Sequence, residues 1–129
     1  MERGTVILLD TDVLIAHLRG QPKARRFFDA VPDDVTLAVS VVTLTETSGG
    51  MRTGERRQVA GLLNALRPEP VTELIAVRAG QLMRQHRAAN QGIGIADYLI
   101  AATAKQIGAS LATLNVRHFP MFEGLEPAF

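Results

Sequence analysis

The chain of 129 residues reads as an α/β protein, a three-layer α/β/α sandwich built on a parallel sheet of about five strands. Three observations predict this. The stretch TVILLDTDVLI, Thr5 to Ile15, opens with a continuous run of β-branched and leucine residues, the pattern of a strand buried on both faces in the middle of a parallel sheet. Short apolar runs then alternate with helical periodicities, which implies strand–helix–strand units with right-handed crossovers. No repeat, low-complexity stretch or linker interrupts them, so residues 1–129 are expected to form one domain.

In chain order, the first strand stops on Asp10-Thr11-Asp12, and a helix follows from Val13, with Asp12 as its cap and Asp10 at the strand's C-terminal end. Val13, Leu14, Ile15 and Leu18 form its apolar stripe, and Gly20 ends it. Pro22 opens a second helix at the first-turn position that proline favours, with Phe27, Phe28 and Val31 as core contacts. Pro32-Asp33-Asp34 is a turn and Val35 to Val39 a second strand. Ser40 is placed to cap a helix over Val41 to about Gly50. A further helix covers Arg56 to Leu66 and is stopped by Pro68, and a short strand is expected at Glu69 to Val71. Thr72 caps a helix from Glu73 to about Asn90. Asn90 to Gly94 is a loop, and an alanine-rich helix, Ile95 to Ile107, is ended by Gly108. Ser110 to Leu114 and Leu125 to Phe129 are the last strands, the second on an edge because Pro127 cannot donate to a ladder.

Composition narrows the chemistry. Cysteine is absent, which excludes disulfides, thiolate zinc sites and a cysteine nucleophile and suits a reducing, cytoplasmic setting. No apolar run approaches the about 18 residues of a membrane span, so no membrane partner is expected. The formal charge of +1 makes no global case for nucleic acid. All basic residues except Lys23 and Lys105 are arginines, which suit bidentate phosphate contacts, although a GC-rich coding sequence gives the same bias.

The acids give the sharper signal. Ligands of open α/β sheets bind beyond the carboxyl ends of the strands, where Asp10 falls. Glu46 lies six residues after Ser40, under two turns from that edge. Asp97 lies in the first turn of the helix opened by GIGIAD, and Asn115 follows the strand SLATL. Singly, each has a bland explanation in helix dipoles, solvated faces or turns. Together they gather charge at one place, and two carboxylates about 5 Å apart repel by roughly 3 kcal/mol at an effective dielectric of 20. A cation relieves this, and an all-oxygen donor set favours Mg²⁺ or Mn²⁺ over zinc. Asp10, Glu46 and Asp97 are the expected ligands and catalytic groups, with Asn115 and Asp12 as further oxygen donors. Hydrolysis of a phosphodiester is the matching reaction. Arg84, Arg87, Arg117 and His118 are candidates for holding the phosphates of such a substrate, which the resemblance described next implies is RNA.

The four stretches LLDTDVLI, SVVTLTE, GIGIADYLIAATA and LATLNVRHFP resemble the PIN-domain nucleases, and most closely their VapC-type toxins. The resemblance implies a parallel sheet in the order 3-2-1-4-5 and a Mg²⁺- or Mn²⁺-dependent ribonuclease. It also implies a homodimer and neutralisation by a small antitoxin. Asp10, Glu46 and Asp97 match the first three acids. Asn115 stands where many relatives carry a fourth aspartate, His118 where others have an acid, and Asp12 where a small or amide residue is common.

Other readings compete. Asp10-Thr11-Asp12-Val13 also resembles the nucleophile motif of haloacid-dehalogenase-type phosphatases, but TLNVRHF lacks the later acids that such enzymes need. A receiver domain fails for want of an adjacent acidic pair after the first strand and a lysine after the last. A metal-independent ribonuclease would use His17, His86 or His118, and a non-catalytic module would keep the fold and bind only RNA or antitoxin.

Overall fold

A computed structural model describes residues 4–89 and 92–129. Four parallel strands form one sheet in the order β3-β2-β1-β4, with β1 at Val6–Leu9, β2 at Thr36–Ser40, β3 at Arg67–Glu69 and β4 at Ser110–Ala112. β1 is central, with Leu8 opposite both Ala38 of β2 and Leu111 of β4. Among the described residues the α-helices are α1 (Thr11–Leu18), α2 (Pro22–Asp29), α3 (Val41–Gly50), α4 (Arg56–Asn64), α5 (Glu73–His86) and α6 (Ile95–Ile107).

Strand alternation sorts the core into two layers. Leu8, Ala38 and Leu111 point to one face and pack with Ile100, Ala101 and Ala104 of α6 and with Phe119. Their neighbours Leu9, Val39 and Ala112 point to the other face, against Val13 and Leu14 of α1 and Leu66. Both faces are covered, which is why β1 carries no polar residue until Asp10. The small residues along α6 let it lie close to the sheet. Ala102 and Tyr98, on its outer side, pack with Ile75 and Ala79 of α5. Each large aliphatic side chain buried in this way contributes roughly 1.5–3 kcal/mol.

Several local signals act as expected. The Ser40 hydroxyl accepts from the Val42 N–H at 3.1 Å, that of Thr72 from the Ile75 N–H at 3.2 Å, and Gly108 ends α6 at φ +68°. Several boundaries differ: β2 runs Thr36–Ser40 and not Val35 to Val39, and α4 ends at Asn64, two residues short of Leu66. Helix α1 begins at Thr11 with Asp10 as its cap, not at Val13 with Asp12. Strand β3 starts at Arg67 and contains Pro68, which an edge strand tolerates, so Pro68 does not precede the strand. Strand β4 ends at Ala112, because the Leu114 N–H turns to the Asp12 carboxylate and leaves the ladder. The segment Leu125 to Phe129 forms no fifth strand among the described residues. One bond, from the Ala128 N–H to the Thr113 carbonyl at 2.9 Å, ties it beside the end of β4, and Phe129 packs on Phe27. Helix α5 ends at His86 and a 3₁₀ turn covers Arg87–Ala89, while Asn90 and Gln91 of the expected loop lie outside the described residues.

Candidate active site

The C-terminal ends of β1 and β4 and the first turns of α1 and α6 surround a pocket of about 410 Å³, with Glu46 reaching in from α3. Asp10, Asp12, Glu46, Asp97, Asn115 and His118 all line it, together with Thr11 and Gln21. This is the switch point of the sheet, where β1 has β2 on one side and β4 on the other.

Asp10 is only 7% exposed. Its backbone N–H continues the ladder to the Ala112 carbonyl at 2.8 Å, which fixes where the side chain leaves the strand. One carboxylate oxygen accepts the Thr11 N–H at 2.8 Å and the other the Thr113 hydroxyl at 2.7 Å. Burial pushes its carboxyl up to about 7, and the charge of Asp12 adds to the rise. The Thr113 and Thr11 hydrogen bonds work against it, and Asp97 gives a smaller upward push.

Asp12 follows one turn position later and leans toward the end of β4. Its Oδ2 accepts the Leu114 N–H at 3.1 Å and lies 3.4 Å from the Thr113 hydroxyl, while its Oδ1 is buried and has no hydrogen-bond partner. Burial raises its carboxyl as well, against the pull of the Leu114 N–H. Asp12 is therefore neither the cap of α1 nor a solvated surface acid.

Glu46 is exposed, and its Oε1 accepts the Thr11 hydroxyl at 2.6 Å, with the Thr43 hydroxyl 3.2 Å from that of Thr11. Asp97 caps α6 by accepting the Gly94 N–H at 3.0 Å, and His118 Nδ1 lies 3.1 Å from the same carboxylate oxygen. Asn115 has φ −111°, so a left-handed turn is not what calls for an amide there; its N–H donates to the Thr113 hydroxyl at 3.0 Å. Thr113 is thus a buried hub joining Asp10 and Asn115. Sequence reasoning missed Thr113 and Thr11, whose only signal was adjacency to Asn115 and Asp10.

The arginines stand apart. Arg84 lines a separate hollow with Gln81 and Gln85 on α5, Arg87 is in the following 3₁₀ turn, and Arg117 is exposed in the turn Val116–His118. None of the three lines the acidic pocket. The histidines do not share a site either: the His17 ring packs edge-on against Phe28, and His86 is the last residue of α5.

The donor set fits a hard divalent cation. Every pocket carboxylate offers oxygen, the buried Asp12 Oδ1 is unpartnered, and Asp10 is held above the usual carboxylate range partly by its acidic neighbours. Among the described residues no three acids or histidines stand close enough to enclose an ion by themselves. An ion here would therefore keep several waters, as Mg²⁺ characteristically does.

Residues 7–121 match the family model of the PIN domain. The chain belongs to the PIN-domain family. Ribonuclease VapC10 of Mycobacterium tuberculosis is 56% identical over 124 residues, covering 96% of this chain and 93% of that protein. Among solved structures, a toxin–antitoxin complex from Klebsiella pneumoniae has the same fold with a TM-score of 0.81 at 23% identity, over 95% of this chain and 98% of that one. VapBC-5 of Mycobacterium tuberculosis, a member of the VapBC family of toxin–antitoxin systems, aligns at a TM-score of 0.66 and 25% identity over 96% and 94%. In this PIN domain the acids at positions 10, 46 and 97 share one pocket with Asn115 and His118.

Proposed function

We propose that this PIN domain is the ribonuclease toxin of a toxin–antitoxin pair. It hydrolyses phosphodiester bonds in RNA with Mg²⁺ or Mn²⁺ held by Asp10, Glu46 and Asp97. The observation that carries the reading is the convergence of these three side chains on one pocket in which Asp10 is buried and pushed up to about 7. So much negative charge in so little water is complementary to a cation, and through it to a phosphate. The name of the 56% identical relative, a ribonuclease, supports the same substrate class.

A bound divalent ion supplies charge neutralisation for the phosphate and a more acidic water for attack at phosphorus. The chain's own residues do the positioning. Thr113 and the Thr11 N–H hold Asp10 by both oxygens, the Thr11 hydroxyl orients Glu46, and the Asn115 amide offers a neutral donor and acceptor at the rim.

The reading extends to partners and setting. A small antitoxin is the expected inhibitor, in keeping with the toxin–antitoxin relatives. A homodimer is supported by apolar side chains left exposed, Leu74 and Val77 on α5 and Ile95 on α6. The cysteine-free sequence suits the cytoplasm. Arg84, Arg87 and Arg117 remain the candidates for phosphate contacts beyond the pocket.

Cleavage of RNA oligonucleotides in Mn²⁺ tests the proposal. Asp10→Asn and Asp97→Asn should each lower the rate at least about 10²-fold, the scale of losing one preorganised electrostatic group. Chelator should abolish cleavage by the unmodified protein. Cleavage that persists in chelator, or in both variants, would sink the cation reading.

A further inference from the structure

His118 lines the acidic pocket, and its surroundings suit it to a specific task. The ring is carried on the 3₁₀ turn Val116–His118, suspended between two fixed points. On one side the Leu114 N–H is bound by Asp12, and on the other Phe119 is 1% exposed in the core. The His118 backbone N–H closes the turn on the Asn115 carbonyl at 3.1 Å. The imidazole then lies between Asp97 and Gly92: Nδ1 is 3.1 Å from Asp97 Oδ2, and a Cβ at position 92 would come within 3.7 Å of Nε2.

The oxygen that His118 meets is the one already receiving the Gly94 N–H at 3.0 Å. The Gly94 N–H donates to Oδ2 and the His118 Nδ1 lies 3.1 Å from the same oxygen, while among the described residues no hydrogen bond reaches Oδ1. An aspartate in place of His118 would do the reverse, repelling Asp97 and leaving its rotation to the Gly94 N–H alone.

We propose that His118 is a positioning residue: its Nδ1–H locks the Asp97 carboxylate through Oδ2, so that Oδ1 is kept available to the divalent cation. The chain thus has orientation of Asp97 at this position instead of a further negative charge. The donor is present in the neutral Nδ1–H tautomer as well as in the imidazolium, so the role needs no change of charge. The inference rests on the cation reading above. It assigns His118 to Asp97 and not to RNA phosphate.

The test is Mn²⁺ affinity, measured by calorimetry on the whole chain without RNA, for wild type, His118→Ala, His118→Asn and His118→Gln. An asparagine amide places an N–H close to the Nδ1 position, whereas a glutamine amide reaches toward that of Nε2. His118→Ala and His118→Gln should weaken Mn²⁺ binding by about 10–100-fold, as loss of a partner orienting a ligand does, and His118→Asn should restore most of it. Melting in chelator shows whether each variant folds. A role confined to holding the turn would lower melting in chelator and leave Mn²⁺ affinity unchanged among the folded variants. Equal affinity in wild type and His118→Ala, or His118→Asn as weak as His118→Ala, overturns the inference alone. A wild type with no saturable Mn²⁺ binding overturns the cation reading, and this inference with it.

Discussion

The two edges of the sheet differ in a way that volume alone conceals. At the N-terminal edge, Thr5, Val6, Thr36, Arg67, Gln106 and Ser110 border a hollow of about 830 Å³, twice the size of the acidic pocket at the other edge. Its charged member, Arg67, is 47% exposed and paired with Glu69 at 2.8 Å, so no group there is held against its preference. At the C-terminal edge Asp10 is 7% exposed beside Asp12 and Asp97, and burial pushes its carboxyl up to about 7. Folding alone does not reward such an arrangement. The electrostatic cost carried by the smaller hollow is what supports the proposal that it is the working one.

The largest expected contrast is in the pH dependence of stability without metal. The Asp10 carboxyl is raised from an ordinary 3.8 to about 7 in the folded chain, so between these values the folded state holds a proton that the unfolded state has lost. Stability should therefore be greatest below about pH 4, fall as pH rises toward 7, and level off above it. At about 1.4 kcal/mol per unit the full effect is on the order of 4 kcal/mol. Denaturant melts in chelator at pH 5 and pH 8 should show most of this fall in wild type and in Gln106→Ala at the opposite edge. In Asp10→Asn the fall should nearly vanish, and an undiminished slope there would remove the electrostatic distinction between the edges.

A second, somewhat smaller effect comes from the cation. At pH 8, Mn²⁺ at a hundred times its Kd should stabilise wild type by about 2.7 kcal/mol, and Ser110→Ala equally. Asp10→Asn should gain much less, and an equal gain in all three proteins would put the ion elsewhere.

The smallest effect calibrates a site remote from either edge's chemistry. Thr72→Ala removes the hydroxyl that accepts the Ile75 N–H and should cost about 1 kcal/mol in a thermal melt. RNA cleavage at a temperature where the variant remains folded should be unchanged. A large loss of cleavage would show that the acidic pocket depends on α5 more than the packing indicates.

How much of this was legible before folding follows from range. The buried strand Val6–Leu9, the caps at Ser40 and Thr72 and the stop at Gly108 are set by neighbours within a turn, and local sequence shows them. That Asp10, Glu46, Asp97 and Asn115 share one pocket was legible because strand ends and helix starts in such a sheet share one edge. What escaped depends on contacts distant in sequence. Asp12 looked like a cap because its partner, the Leu114 N–H, is 102 positions away. Strand β4 looked longer because the Leu114 N–H leaves its ladder for the Asp12 side chain on α1. The tail looked like a strand because its apolar pattern does not reveal that a single backbone bond holds it to Thr113.

The central position of β1 also sets the order in which the chain acquires its parts during synthesis. The ladder between β1 and β2 needs nothing beyond Ser40, and with it the first face of the core begins to close. The hydroxyl that grips Asp10 belongs to Thr113, 103 positions after it, and Asn115 and His118 come later still. At about 5–20 residues per second, translation separates those events by roughly several seconds. Throughout that interval Asp10 and Asp12 stand at the end of an unfinished sheet, in water, without the strand that buries and orients them. A nascent chain stopped between Asp97 and Ser110 carries Asp10, Asp12, Glu46 and Asp97 but not the edge that completes their pocket. The complete acidic pocket is therefore among the last features the growing chain acquires.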